Sequence, residues 1–149
     1  MAEKYTVAFQ GELGAFSEEA ILAYFGAEQA EPVPLPEFEL VFEALESGQV
    51  DRAMIPIEIS LFGSVHVNYD LLRAHEVSII GELELRIRHH LLGLPGSRIA
   101  QIRRVYSHPQ ALGQCRTYLR THLQHAEVVP AYDTAGAARI VAEEKVRSN

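Results

Sequence analysis

The sequence predicts an α/β fold with largely parallel sheets. Short β-like runs, small polar turns and amphipathic helical stretches follow one another in that order along most of the chain. One long alternating stretch at residues 77–92 breaks the rhythm and marks the start of a second lobe. The expected organisation is therefore a first lobe over residues 1–76 and a second over residues 77–149. At 149 residues and 48% apolar, the chain can bury a core without a disulfide or metal staple.

Residues 5–10 read as a strand, and Gly11 opens a turn that runs to Ser17. A helix follows over 18–25, with Ser17 as N-cap and Gly26 as its stop. Residues 33–35 give a weak strand signal between prolines. Phe38, Val41, Phe42 and Leu45 then repeat at helical spacing, with Pro36 at the start of that helix and Gly48 just past its end. A strand is expected over 53–58, a polar turn from Ser60 through Gly63 to Ser64, and a helix over 65–74. Within 77–92, Leu83, Leu85 and Ile87 alternate with Glu84, Arg86 and Arg88, the period of a strand with one wet face. Residues 105–107 form the next strand. Pro109 opens a helix that turns Leu112, Cys115 and Leu119 inward. A strand over 128–132 leads to Asp133 and Thr134, which cap a last helix reaching about Lys145.

Charge and cysteine content narrow the function classes. Lys plus Arg number 13 against 20 Asp plus Glu, a net charge of −7 that disfavours nucleic acid. No apolar run is long enough to span a membrane, and no targeting segment precedes the first strand. A single cysteine forms no internal disulfide, which is compatible with a reducing cytoplasm, so a cytoplasmic protein is expected.

Chemistry gathers where strands end. Gln10-Gly11 through Ser17, Glu58 through Ser64, Ser107-His108-Pro109 and Asp133-Thr134 are each a strand end leading to a small polar turn. In open parallel sheets such turns collect at the carboxyl edge, where backbone N–H groups and positive helix ends suit carboxylates. Taken singly, Ser17 or Thr134 reads as an ordinary cap. Glu58 is balanced between a site residue and a structural hydrogen-bonder. Seven histidines lack metal-ligand spacing: His89 and His90 point to opposite faces of a strand, and His122 with His125 has no carboxylate pattern. Cys115 on an apolar helical stripe reads more readily as core than as nucleophile. Glu143-Glu144 reads as a solvated helix face.

These segments resemble the signature blocks of prephenate dehydratases. The matching stretches are Val7 to Gly11 with Phe16-Ser17-Glu18, Ile55-Pro56-Ile57-Glu58 with Gly63-Ser64, and Tyr69 to Leu72. They continue with Gly81-Glu82, His89, Leu91-Leu92, Tyr106-Ser107-His108-Pro109-Gln110-Ala111 with Gln114-Cys115, and Asp133-Thr134-Ala135 with Ala137-Ala138. The Ser-His-Pro-Gln block followed by Gln-Cys is the most specific. The resemblance implies a two-lobed fold like type II periplasmic binding proteins, with the small-molecule substrate prephenate bound between lobes. It implies loss of carbon dioxide and hydroxide to give phenylpyruvate, no cofactor or metal, and a homodimer or larger assembly. Carried over by position, Glu58, Ser107 and Gln114 fall on catalytic positions. Gln10, Gly11, Ser17, Ser60, Gly63, Ser64, His108, Cys115 and Thr134 fall on substrate-binding segments. Ser107, Thr134 and nearby amides are expected to hold carboxylates, Gln114 to orient the substrate, and Glu58 to organise polar groups near the leaving hydroxyl.

Two departures from the family pattern stand out. Ile59 occupies the position of an asparagine, and an apolar side chain makes none of an amide's hydrogen bonds. The sequence reaches Asn149 without the family's Thr-Arg-Phe motif, whose threonine is the favoured proton donor, or the segment that returns to the first lobe. The dehydratase fold is therefore expected to be incomplete at the C-terminus, with weak catalysis and exposed sheet edges. Neither a regulatory module nor a chorismate mutase module is expected in this chain. A non-catalytic binder of an aromatic or keto acid, and a truncated product without function, are the rival readings.

Overall fold

The computed structural model describes residues 4–60 and 63–147, with the side chains of 145–147 left aside. These residues group into two compact units, Met1–Ile87 and Arg88–Asn149. The sequence places the lobe change at 76/77, whereas the compact units divide between Ile87 and Arg88.

The first unit is built around β1 (Tyr5–Gln10). Val7, Ala8 and Phe9 are all fully buried, as expected of a central parallel strand covered on both faces. Alternation divides its side chains. Val7 and Phe9 pack with Ile21 of α1 (Phe16–Phe25), while Ala8 packs with Val41 and Ala44 of α2 (Phe38–Glu46). Parallel strands β2 (Ala30–Leu35) and β3 (Arg52–Ala53) flank β1 in the order β2-β1-β3.

The weak strand signal near residue 33 becomes the six-residue β2, prolines included. Leu35 turns its carbonyl toward β1 and accepts from the Gly11 N–H at 2.9 Å. Residues of the other parity, Pro32 and Pro34, therefore face away, where a missing N–H costs no ladder bond. The prolines mark an edge strand.

Several expected boundaries move. Helix α1 begins at Phe16 with Ala15 in the N-cap position, so Ser17 lies inside the first turn and makes no cap. Its role passes to Glu18, whose carboxylate accepts from the Gly14 N–H at 2.5 Å. The single strand expected over 53–58 splits into β3 and β4 (Glu58–Ile59), with Pro56 between them. The polar turn supplies β5 (Gly63–Ser64), antiparallel to β4, before α3 (His66–Ala74). Residues 61 and 62 of that turn lie outside the described residues. The strand expected over 77–92 has no regular structure, because no partner strand pairs with it among the described residues. A period of two without a partner makes no ladder.

In the second unit, β6 (Arg104–Ser107) and β7 (Glu127–Pro130) pair in parallel. The helix expected from Pro109 divides into α4 (Pro109–Gln114) and α5 (Arg116–His122), with Cys115 at the break. Helix α6 (Thr134–Arg147) packs on β6. There Glu144, expected in a solvated pair, accepts from the Tyr106 hydroxyl at 2.9 Å. That hydrogen bond holds the Tyr106 phenol above its usual range.

A polar clasp fixes the amino end of the first sheet. One Asp51 carboxylate oxygen accepts from the Thr6 N–H at 2.9 Å and its hydroxyl at 2.8 Å. The backbone donation from Thr6, then its hydroxyl, keeps the Asp51 carboxyl below its ordinary value of 3.8. A depressed carboxyl contributes stability above the unfolded value and loses it as pH falls through the folded one. The melting-temperature gap between the parent and Asp51→Asn is therefore expected to be widest near neutrality and to close below about pH 3.8, as thermal melts across pH will read.

Candidate functional site

In the first unit, the order β2-β1-β3 places a topological switch at the carboxyl ends of β1 and β3. The chain leaves β1 at Gln10 and Gly11. Gln10 Nε2 donates to the Pro36 carbonyl at 3.2 Å, tying the exit of β1 to the exit of β2. Gly11 has φ 124°, a conformation that side-chain-bearing residues rarely adopt. Gly63, at φ 76°, meets the same requirement in the β5 turn.

Glu58 and Ser64 lie directly opposite each other in the β4/β5 register, and Ile59 lies opposite Gly63. Glu58 and Ser60 are exposed, while Ser64 is half-buried. Hydrogen bonding holds this hairpin from beneath. Val65 N–H donates to the Ile57 carbonyl at 2.8 Å. Asn68 on α3 is fully buried, and its Nδ2 donates to the Pro56 carbonyl at 2.8 Å. Pro56 cannot itself donate, so this carbonyl is the group that anchors the approach to Glu58. Ser17 stands apart on the first turn of α1.

In the second unit, the parallel pair sets β6 and β7 level at their carboxyl ends. Ser107 pairs with Pro130, and its carbonyl accepts from Ala131 N–H at 2.8 Å. Two helices start from this edge. His108 caps α4, its Nδ1 accepting from the Gln110 N–H at 3.2 Å, with Pro109 in the first turn. Asp133 caps α6, its Oδ1 accepting from the Gly136 N–H at 2.5 Å, and Thr134 is the first helical residue. The second Asp133 oxygen is buried and has no hydrogen-bond partner among the described residues. Ser107, His108 and Thr134 thus share one edge, as the strand-end pattern predicts.

Gln114 closes α4 and hydrogen-bonds through Oε1 to the Nε2 of His89. With a ring hydrogen on Nε2, His89 donates to that oxygen, which leaves the amide nitrogen of Gln114 to donate elsewhere. Cys115 is half-buried at the α4/α5 break, a small core-edge thiol. Sequence reasoning missed His89 and Asn68 as site-building residues. His89 stood in a recognisable block but was assigned to a strand face. Asn68, one residue before Tyr69-Asp70, gave no signal, since its partner is a backbone carbonyl. No group of three or more metal-ligating side chains occurs among the described residues. A shallow hollow lined by Gln101, Arg103 and His125 sits at the amino ends of β6 and β7, opposite the site edge.

A family model, curated relatives and a solved structure carry dehydratase names. The sequence model described as prephenate dehydratase matches residues 7–149. A protein of Arabidopsis thaliana named arogenate dehydratase/prephenate dehydratase 2, chloroplastic, is 49% identical over 144 residues, covering 94% of this chain and 36% of the relative. The crystal structure of a prephenate dehydratase from Arthrobacter aurescens in complex with L-Phe superposes with TM-score 0.73 at 32% identity, over 92% of this chain and 46% of that one. GqqA, described as a quorum quenching acylase, superposes with TM-score 0.83 at 35% identity, over 94% of this chain and 50% of that one. The chain thus spans about a third of the curated relative's length and half of GqqA's.

Replacing Asn68 by leucine removes a buried donor from the Pro56 carbonyl. Urea denaturation should show a loss of about 1–3 kcal/mol, and amide exchange should quicken at Glu58 and Ser64 relative to β1.

Proposed function

The chain belongs to the prephenate dehydratase family, and from that premise we propose that it binds prephenate at its strand-end turns and converts it to phenylpyruvate in phenylalanine synthesis. The observation that carries this reading is the shared edge of Ser107, His108 and Thr134, where two helix starts stand beside level strand ends. Such an edge offers N–H groups and hydroxyls to a carboxylate without a cation.

The bond from the ring to its carboxylate breaks and carbon dioxide departs. The electron pair enters the ring, the hydroxyl leaves from the opposite carbon, and with one proton it becomes water. Aromatisation drives the step, so the protein's work is to hold, desolvate and deliver a proton. Ser107 and Thr134 bind carboxylate oxygens. Gln114, its carbonyl oxygen engaged by His89, presents its amide nitrogen to the substrate. Glu58 organises the polar hairpin near the leaving hydroxyl, with Ser60, Gly63 and Ser64 lining that approach. Gln10, Gly11 and Ser17 supply the first-unit wall, and His108 and Cys115 the second. The reading includes no cofactor or metal. It extends to a homodimer or larger assembly and to a cytoplasmic setting suited to the lone thiol Cys115.

Incubation with prephenate is expected to release phenylpyruvate, with arogenate as the competing substrate because relatives carry that name. Ser107→Ala and Gln114→Ala should each lower kcat/KM by about 10²- to 10³-fold. Undiminished turnover in both variants would refute the assignment.

A second reading, binding without turnover, is favoured by Ile59, whose side chain offers no hydrogen bond where the family pattern has an amide. Calorimetric titration with prephenate separates the two: heat without product supports the binder. If the missing amide limits the rate, Ile59→Asn should raise turnover by on the order of 10²-fold.

A further inference from the structure

Charge is shared unequally between the two units. Residues 1–87 carry 16 Asp plus Glu against 4 Lys plus Arg, whereas residues 88–126 of the second unit carry six arginines and neither Asp nor Glu. At the chain's own acidic frequency that run would hold about five carboxylates. Arg88, Arg98, Arg103, Arg116 and Arg120 are exposed, and none has a carboxylate within ion-pair distance among the described residues. The sixth, Arg104, lies 3.9 Å from Glu144. Five guanidinium charges are thus left unspent by the fold.

Two of the five belong to the neighbourhood of the site. The hydrogen bond between His89 and Gln114 brings two distant segments together. Arg88 is the residue before His89, and Arg116 stands two after Gln114. Two exposed positive groups therefore lie within two residues of one hydrogen bond. Arg98 and Arg103 are placed differently, since both precede β6 and Arg103 lines the shallow hollow at its amino end. Screening decides which charges a small ligand feels. At physiological ionic strength, exposed charges more than about 8 Å apart are largely hidden from each other.

We propose that Arg88 and Arg116 form an electrostatic collector for small dicarboxylates beside Gln114. Their field raises the rate at which such an anion reaches the second unit, where hydroxyls and N–H groups at the strand ends then hold it. A ligand near Gln114 answers to these two charges and not to the chain's net −7, most of which is screened. Naming prephenate as the dicarboxylate rests on the dehydratase reading; the collector itself is a property of the second unit alone.

Two measurements on the full chain test this. The first compares amide relaxation by a carboxylate-bearing nitroxide with that by an ammonium-bearing one, with no substrate present. The parent should favour the anionic probe by about 2- to 5-fold at residues 88–90 and 113–117, and Arg88→Gln/Arg116→Gln should lose that preference. The second reads prephenate association by stopped-flow tyrosine fluorescence. The same double variant should slow association by about 3- to 10-fold and flatten its fall with salt, with kcat unchanged. Arg98→Gln/Arg103→Gln removes equal charge at the amino end of β6 and should slow it by less than about 2-fold. Arg88→Lys/Arg116→Lys should keep the parent rate, since a field needs charge and not the paired contacts of a guanidinium. A parent without the anionic preference, a glutamine variant that associates as fast as the parent, an amino-end variant that is equally slow, or a lysine variant as slow as the glutamine one would each overturn the proposal. If prephenate does not bind while the nitroxide preference appears and is lost in the glutamine variant, the collector stands and the dehydratase reading falls.

Discussion

The double-sided burial of β1 is the constraint from which the first unit follows. Val7, Ala8 and Phe9 lose all contact with water, so helices must cover both faces and strands must satisfy both edges of the backbone. Alternation then assigns α1 to the side of Val7 and Phe9 and α2 to the side of Ala8. Crossovers from β1 to β2 and from β2 to β3 put the chain on either side of the central strand. The exit at Gln10-Gly11 therefore falls at a switch point. The site edge is a consequence of how the core is packed.

The second unit reaches a similar end with less buried material. Its parallel pair β6-β7 is short, and helices α4 and α6 start where those strands stop. The caps are side chains, His108 and Asp133, so the helix starts are fixed next to Ser107 and Thr134 rather than fraying. Fixing matters more than strength here. A hydroxyl and an amide meet a charged ligand at least cost when their own elements are already ordered.

The sequence spoke most clearly where periodicity and packing agree. The stripe Phe38, Val41, Phe42, Leu45 lies on α2, where Val41 packs on Ala8 of the sheet and Phe42 is buried beside His75 at the end of α3. The strand-end turns were legible because glycine, proline and capping residues carry backbone geometry in their identity. Three things were not legible. The alternation at 83–88 has the right period for a strand, yet a strand exists only with a partner, and pairing is not a local property. Ser17 has the chemistry of an N-cap, but the helix starts earlier because Glu18 reaches back to Gly14. Asn68 acts on a backbone carbonyl twelve residues away, a contact that composition does not encode. In the candidate site, residue types were readable and their second partners, such as His89 for Gln114, were not.

Shape alone does not choose the reaction. The chain superposes on a prephenate dehydratase and on a protein described as an acylase, at similar identity. A common framework therefore admits more than one named activity, and the decision belongs to the strand-end chemistry. For a chain of net charge −7 to receive a dianion, as proposed, it must reverse its own field locally. The edge at Ser107 offers dipoles for this: helix starts, hydroxyls and amide donors. Dipoles fixed by folding need no reorganisation as charge moves from carboxylate to leaving hydroxyl, whereas a mobile lysine would follow the charge and lag. Ile59 leaves the β4/β5 hairpin of the first unit without one such dipole. Under the proposed function, binding and turnover are therefore separable.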